Sequence, residues 1–561
     1  MVLVFESNEG GNQMKNEKPP KEVDVLIVGS GPSGSVAAKM LTEAGLSVVT
    51  LEQGTWFDPS DYPGDKKEFE LAGGKKWNPA PNVRDNERDY PINTSESDVE
   101  PYMQSAVGGS ATIWAGHWVP FLPSDFRVKS LDGVAVDWPF DYYELLPHLE
   151  AVEQLVSSSG TKGNPGYPPQ AGYPTPQIPI GKTGMKLAKG MDKLGWHWWP
   201  GLNAMPSIPW QGQNPCARRG TCMFGCPEAA KWSPDLVLFK EAKKYGHRMI
   251  AGARVREIIY DDARGLVTGA IYIDQNGRER RQSAKVVIVC ANAIGTPRIL
   301  LNSKSKTFPD GLANSSGLVG ANLMMHPFGL VMGHFEENIE SSIGPSGQLI
   351  NTLQFYETDE KRGFVRGAKW GGMSAGGPLS SKGYVGATVF KEGGKIEDSW
   401  GENWHKMIED RFGKTALWAI VGEDLPEESN RVVIDNDLVD SDGIPAPKVI
   451  YKTSENSRRM LEFHAERAKE SMEAAGAKST SVMPQMRDSG WHLLGTARLG
   501  TDPKYSVLNE FGRAHDVPNL YVWDLSAFPT GAGANPTATL MAVAHRQATQ
   551  FINTKRNAEV A

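Results

Sequence analysis

Val23-Asp-Val-Leu-Ile-Val-Gly-Ser-Gly-Pro-Ser-Gly34, with Glu52 closing the next apolar run, is the stretch on which the fold turns. Val23 to Val28 is a short β-rich apolar run, Ser35 to Glu43 has helical character and Ser47 to Glu52 is apolar and β-branched again. The stretch therefore reads as one βαβ unit of about thirty residues. Gly29 permits a tight turn, Gly31 lets the backbone approach a pyrophosphate, and Gly34 lets helix and strand pack closely. The helix N-terminus then presents unpaired N–H groups and a positive dipole to the phosphates. A carboxylate at Glu52 can accept from the ribose hydroxyls, and it disfavours a 2′-phosphate there. The motif points to a dinucleotide without separating FAD from NAD, and a glycine-rich turn with no ligand is its plain alternative.

The rest of the chain bounds the answer. With 561 residues and 40% hydrophobic content, it is long enough for two or three lobes. A net charge of −7 with mixed signs leaves no basic face for nucleic acid. No run nears the roughly 18 to 20 apolar residues that cross a bilayer, and the polar start is no export signal. The expectation is a chain cytoplasmic as synthesised, with periplasmic delivery alongside a signal-bearing partner left open. The 16 Trp, including Trp196, Trp198 and Trp199, either fill cores or stack on flat ligands, the core being the commoner use.

Outward from the βαβ unit, residues 1–20 read as a loose tail, and 57–100, rich in Asp, Pro, Asn, Lys and Gly, as a surface excursion able to lid a cofactor. Ala284 to Cys290 is a buried-strand pattern leading to a helix at Arg298 to Asn302, and 329–435 alternates like antiparallel strands. Glu455 to Ala475 reads as an amphipathic helix, and 519–553 as a strand, a glycine-rich turn and a long helix.

Four further motifs follow in order: Ala106-Val-Gly-Gly-Ser-Ala-Thr-Ile-Trp114; Cys290-Ala-Asn-Ala-Ile-Gly-Thr-Pro297; Ser489-Gly-Trp-His492 with Gly495-Thr-Ala-Arg-Leu-Gly500; and Phe528-Pro-Thr-Gly-Ala-Gly-Ala-Asn535-Pro-Thr-Ala-Thr539. With the fingerprint, these resemble the glucose-methanol-choline (GMC) oxidoreductases over nearly the whole chain. The resemblance implies FAD and an α/β fold: a Rossmann-type FAD-binding domain assembled from 21–155, 211–325 and 486–556, and a substrate domain on an antiparallel sheet from 156–210 and 326–485. It implies Gly108, Gly109 and Ser110 beside the flavin, Ala291 and Asn292 on the pyrophosphate or adenosine side, and Asp524, Asn535, Pro536 and Thr537 by the ribityl chain and ring.

Hydride transfer from an alcohol to flavin N5 requires the hydroxyl proton to leave, and an imidazole suits that near neutral pH. His492 stands where the family places its base, although an isolated His is more often a satisfied core residue. Asn535 stands at the second catalytic position, where it would orient the hydroxyl and could not act as a base. His326 in a His-Pro turn reads as structural or supporting. His117 reads as a polar turn residue, covalent flavin attachment being the lesser alternative.

Cys216, Cys222 and Cys226 carry a C-x5-C-x3-C spacing with Pro227 after the last, while Cys290 reads as core. Three soft ligands without a nearby His or fourth Cys suit a [3Fe–4S] cluster better than a closed zinc site; zinc, free thiols and a disulfide are the alternatives. The segment resembles that of the glucose, gluconate and fructose dehydrogenase large subunits, in which electrons pass to a cytochrome c partner and a small accessory subunit assists. Arg218 and Arg219 would offset cluster charge, dock a partner, or simply be solvated. The expectation is a dehydrogenase acting on a sugar, sugar acid, glycoside or polyol. An oxygen-using oxidase, an aromatic or aliphatic alcohol substrate, and a silent flavin-bearing electron-transfer subunit stand as alternatives.

Overall fold

The computed structural model describes residues 21–72, 76–86, 88–89, 91–382, 384–385, 388–389, 401–402 and 404–560. The tail expected at 1–20 lies outside them. The strand β1 (Glu22–Val28) has β2 (Val48–Glu52) parallel on one side and the strand Glu279–Val289 parallel on the other. Val25, Leu26 and Ile27 of β1 are wholly buried, as an inner parallel strand with both faces covered requires. Arg248–Ala251 extends the sheet beyond β2. On the opposite side, Leu520–Val522 pairs in parallel with the end of Glu279–Val289, whose start forms an antiparallel hairpin with Leu266–Ile273. The helix α1 (Pro32–Glu43) packs its small residues Ala37 and Ala38 on this sheet and meets the terminal helix Thr537–Val560.

The turn at 291–297 folds differently from the expectation of a helix confined to Arg298 to Asn302. The helix begins at Asn292, whose side-chain oxygen accepts the N–H groups of Ile294 and Gly295 at 2.9 and 3.0 Å. Pro297 sits inside it. Lacking an N–H, Pro297 leaves the Ala293 carbonyl without its helical partner, and the Thr496 hydroxyl donates to that oxygen instead at 2.9 Å.

The second sheet is antiparallel, in the order Ser479–Met483, Phe328–His334, Thr415–Gly422, Ala368–Met373, Ile350–Thr352 and Trp199–Pro200. The helix Glu455–Ala474 covers one face, where Trp370 and Trp418 pack on Leu461, Ala465, Ala468 and Met472. The two-residue period of a strand sorts Ala368–Met373 between the two faces. Ala368 and Trp370 go to the helix side, while Met373 goes to the other, with Leu330, Leu417 and Ala419. The tryptophan group belongs to ordinary packing: Trp196 packs edge-on against Phe355, Trp198 donates to Asp192 at 2.8 Å and Trp199 to the Thr161 carbonyl at 2.9 Å.

The 57–100 excursion is more than a surface run. Tyr62 is buried against Gly225, where a Cβ would fall 1.9 Å from its ring, and Phe69 meets Phe224 edge-on. The excursion thus covers the cysteine segment. Its later part, Asn93–Ser97, joins the hairpin of Arg431–Val439 and Pro445–Tyr451 as a third strand. Its many polar residues hid the few aromatics that bury it. Among the described residues, no helix is long and apolar enough to cross a membrane.

Candidate active site

A cleft with about 1820 Å³ of empty space, its open mouth included, runs from Glu52 to His492 and Asn535. Its length, from the acid that closes the βαβ unit to the paired histidine and asparagine, suits a dinucleotide with a substrate beside it. Glu52 is buried, accepting from the Ser30 N–H at 3.0 Å, the Ser30 hydroxyl at 2.7 Å and the Gly54 N–H at 2.8 Å; burial raises its pKa.

Each fingerprint glycine has its own reason. Gly29 has φ +101° and a Cβ there would fall 2.2 Å from the Cys290 carbonyl oxygen; at Gly34 it would fall 2.3 Å from the Gly29 oxygen. These two are required by the protein itself. Gly31 lines the cleft, and a Cβ there would meet no protein atom within 4 Å. Space kept clear at the start of α1, with no side chain capping the helix, fits a bound pyrophosphate. The second glycine turn closes on the first, for a Cβ on Gly109 would lie 3.1 Å from the Gly31 Cα. Gly109 and Ser110 line the cleft, whereas Gly108, at φ +105°, sits behind it on Asp235.

Ala291, Asn292, Asp524, Pro536 and Thr537 also line the cleft. Asp524 is buried and ties two turns together, accepting from the Asn292 N–H at 3.1 Å, the Thr296 hydroxyl at 2.6 Å and the Ser526 N–H at 2.8 Å. Burial raises its pKa as well.

At the far end, strand register brings two histidines together. Met325 pairs with Leu493 in an antiparallel bridge, so the next positions, His326 and His492, fall opposite each other. Their Nδ1 atoms lie 2.8 Å apart, and His326 Nε2 lies 2.9 Å from the Gly531 carbonyl. A carbonyl only accepts, so His326 Nε2 carries a proton. Burial lowers the His326 pKa to about 4, leaving the ring neutral with Nδ1 as an acceptor. The Nδ1 of His492 must then be the donor, and its Nε2 keeps a free lone pair. Burial first, then His326, Lys369 and His117, push the His492 pKa well below its usual value. Asn535 Nδ2 lies 3.4 Å from that lone pair.

Lys369, on the face of its strand opposite Trp370, is fully buried and donates to Asn535 Oδ1 at 2.6 Å. Its Nζ also lies 3.3 Å from Nδ1 of the buried His117. No motif announces this lysine; its place follows from the pairing of Ala368–Met373 with Thr415–Gly422 and from its own N–H donating to the Gly533 carbonyl at 3.0 Å. Lys231 also went unread: its ammonium binds the carbonyls of Thr112, Trp114 and Cys222 at 3.1, 2.7 and 2.8 Å.

Cys216, Cys222 and Cys226 are half-buried free thiols, and Cys290 is buried as expected of a core residue. The Arg218 N–H donates to Cys216 Sγ at 3.4 Å and the Lys231 N–H to Cys226 Sγ at 3.5 Å. Among the described residues, however, no three His, Cys, Asp or Glu side chains gather into a group that could hold a metal ion. The arrangement therefore gives no support to the expected iron–sulfur cluster. Arg219 is spent on an ion pair with Glu228.

Comparisons with known proteins agree with this geometry. Residues 22–60 match the model of an FAD binding domain, and residues 185–328 and 426–544 match two models of GMC oxidoreductases. The chain is 37% identical over 536 residues to 2-methyl-1,2-propanediol dehydrogenase of Mycolicibacterium austroafricanum, covering 94% of each chain. It is 28% identical to the fructose dehydrogenase large subunit of Gluconobacter japonicus, covering 94% of this chain and 98% of that one. Among solved structures, pyridoxine 4-oxidase from Mesorbium loti shares the fold with a TM-score of 0.65 at 17% identity, covering 94% of this chain and 99% of that one. A dinucleotide cradle at one end, a buried histidine pair at the other and these matches give one conclusion: the chain is an FAD-dependent enzyme belonging to the GMC oxidoreductase family.

Proposed function

We propose that the enzyme dehydrogenates a compact alcohol, a short diol rather than a sugar, with His492 as the general base. The observation that carries the reading is the chain of contacts from the Gly531 carbonyl through His326 to His492 Nδ1, which leaves His492 Nε2 facing Asn535 in the cleft. A neutral alcohol is a poor hydride donor until its proton leaves, and His492 Nε2 is the atom placed to receive it. The amide of Asn535 directs the hydroxyl towards that lone pair. When bound, FAD supplies the two-electron acceptor for the hydride. Gly31, Gly109, Asn292 and Pro536 would hold it, with Glu52 at the far end.

The walls of the cleft favour a small substrate. Around the histidine, the cleft is lined by Tyr102, Phe328, Met373, Trp491 and Leu493. A hexose would bring several hydroxyls into contact with these side chains, each losing water without a partner. A short diol with apolar substituents would not. The likeness to a propanediol dehydrogenase supports the same choice. Anaerobic mixing with a panel of alcohols tests it: bleaching of the flavin band should have a higher kcat/KM for C3 to C5 diols than for hexoses or sugar acids, and the reverse order overturns the size argument.

A second reading has electrons leaving through a cluster on Cys216, Cys222 and Cys226 to a partner protein. The thiol spacing and the relative named as a large subunit favour it, and the ungathered ligands oppose it. Iron and acid-labile sulfide in anaerobically purified enzyme, with an EPR signal when oxidised, would establish it; their absence would end it.

A further inference from the structure

Lys369 is wholly buried with its Nζ against Asn535, and proton transfer to His492 gives it no part. Its Nζ has two acceptor oxygens in reach, Asn535 Oδ1 at 2.6 Å and Gln348 Oε1 at 3.4 Å, and lies 3.3 Å from His117 Nδ1. We propose that Lys369 is a positioning residue for alcohol oxidation, which locks the Asn535 amide with Nδ2 turned towards His492 and the substrate oxygen.

An asparagine amide has two ends of nearly the same size, and rotation by half a turn exchanges a donor for an acceptor. At most sites that exchange is cheap. Here an ammonium, which can only donate, faces one end, and only the oxygen end is tolerated against it. The other end must then be Nδ2, 3.4 Å from the lone pair of His492. Turned over, the amide would set its N–H groups against Lys369 and its carbonyl against the base. The alcohol oxygen would then meet an acceptor where it needs a donor.

The surroundings hold Lys369 to this task. Its own N–H donates to the Gly533 carbonyl at 3.0 Å, which fixes the distance between its strand and the loop that carries Asn535. Gly371 keeps the space beside it open, since a Cβ there would lie 3.3 Å from the His117 ring and 3.5 Å from Nζ. The groups facing Nζ are His117, Gln348 and Asn535, with His326 and His492 beyond them. Burial lowers the lysine pKa to about 7, so the lock is strict while Nζ is an ammonium and loosens above that pH, where the neutral amine gains a lone pair that can accept.

This inference rests on His492 being the base, and the experiment separates the two. Anaerobic stopped-flow flavin reduction is measured for Lys369→Met, Asn535→Ala and the double variant. Lys369→Met should retain FAD and reduce it about 100-fold more slowly. The double variant should be no more than about threefold slower than Asn535→Ala alone, because Lys369 acts through the amide. Wild-type speed in Lys369→Met, or losses that multiply in the double variant, would overturn the proposal. Should Lys369→Met fail to retain FAD, Lys369→Gln, which keeps an N–H donor, carries the same cycle: a loss under about tenfold that does not multiply with Asn535→Ala is expected, and multiplication again overturns it. Rapid reduction by His492→Ala would sink the base assignment alone. Multiplying losses alongside an inactive His492→Ala would sink only the lock.

Discussion

The two ends of the cleft are made of different material. At the nucleotide end, the surfaces that face a ligand are main chain and missing side chains: Gly31, Gly109, and the uncapped start of α1. At the alcohol end they are side chains held by other side chains: His492 by His326, Asn535 by Lys369, Trp491 edge-on to Tyr102. Main chain presents the same N–H whichever residue carries it, so the first end has little freedom to vary. Side chains on a rigid sheet can be exchanged singly, so the second end is where one fold is tuned to one alcohol.

The contrast can be broken most severely at the fingerprint itself. Gly29→Ala puts a Cβ 2.2 Å from the Cys290 carbonyl at a left-handed backbone position, so the protein should fail to accumulate folded. Gly31→Val should instead fold, with a normal circular dichroism spectrum, and emerge without flavin. If both variants behaved alike, the division between a glycine needed by the fold and one needed by the ligand would be wrong. Next in size is His492→Ala, which should keep its FAD and lose about 10⁴-fold in the rate of substrate-dependent flavin reduction. Near-normal reduction would remove His492 from the mechanism.

His326→Ala tests whether the tautomer is imposed. It leaves the base but frees its ring, so the reduction rate should fall by about 10- to 100-fold, clearly less than for His492→Ala. An equal loss would mean that His326 handles the proton itself. The smallest effect is on pH. The His492 pKa is depressed, so as pH falls the ring stays neutral through the ordinary histidine range and protonates only well below it. The acid limb of the reduction rate should therefore lie below the ordinary histidine range; a limb centred at or above the ordinary histidine value would mean that burial does not set this group.

These same properties decide what could be read before folding. The Gly29, Gly31 and Gly34 turn, β1 and Glu52 are legible because their geometry is closed within one βαβ unit, each residue answering to neighbours a few positions away. His492 and Asn535 are legible only through motif resemblance, for nothing local marks either as catalytic. Lys369 is not legible at all. It is one lysine in a strand, and its position depends on which strand lies beside it and on a loop more than 150 residues further on. The tautomer chain is equally hidden, since it follows from the register of a two-residue bridge. The cysteine spacing is the opposite case: the pattern is plain in sequence, yet among the described residues the thiols form no group that could hold a metal ion.

The strand register that joins Met325 to Leu493 also has a consequence for time. A ribosome releases Gly31 and the phosphate turn long before it releases His492, and His492 before Asn535. Until the later segments arrive, the early βαβ unit lacks Leu520–Val522 along its sheet and Asp524 across its mouth. A nascent chain therefore contains the oldest part of its cofactor cradle and neither His492 nor Asn535. The order of synthesis keeps oxidising power and the means of using it apart until the fold is nearly whole.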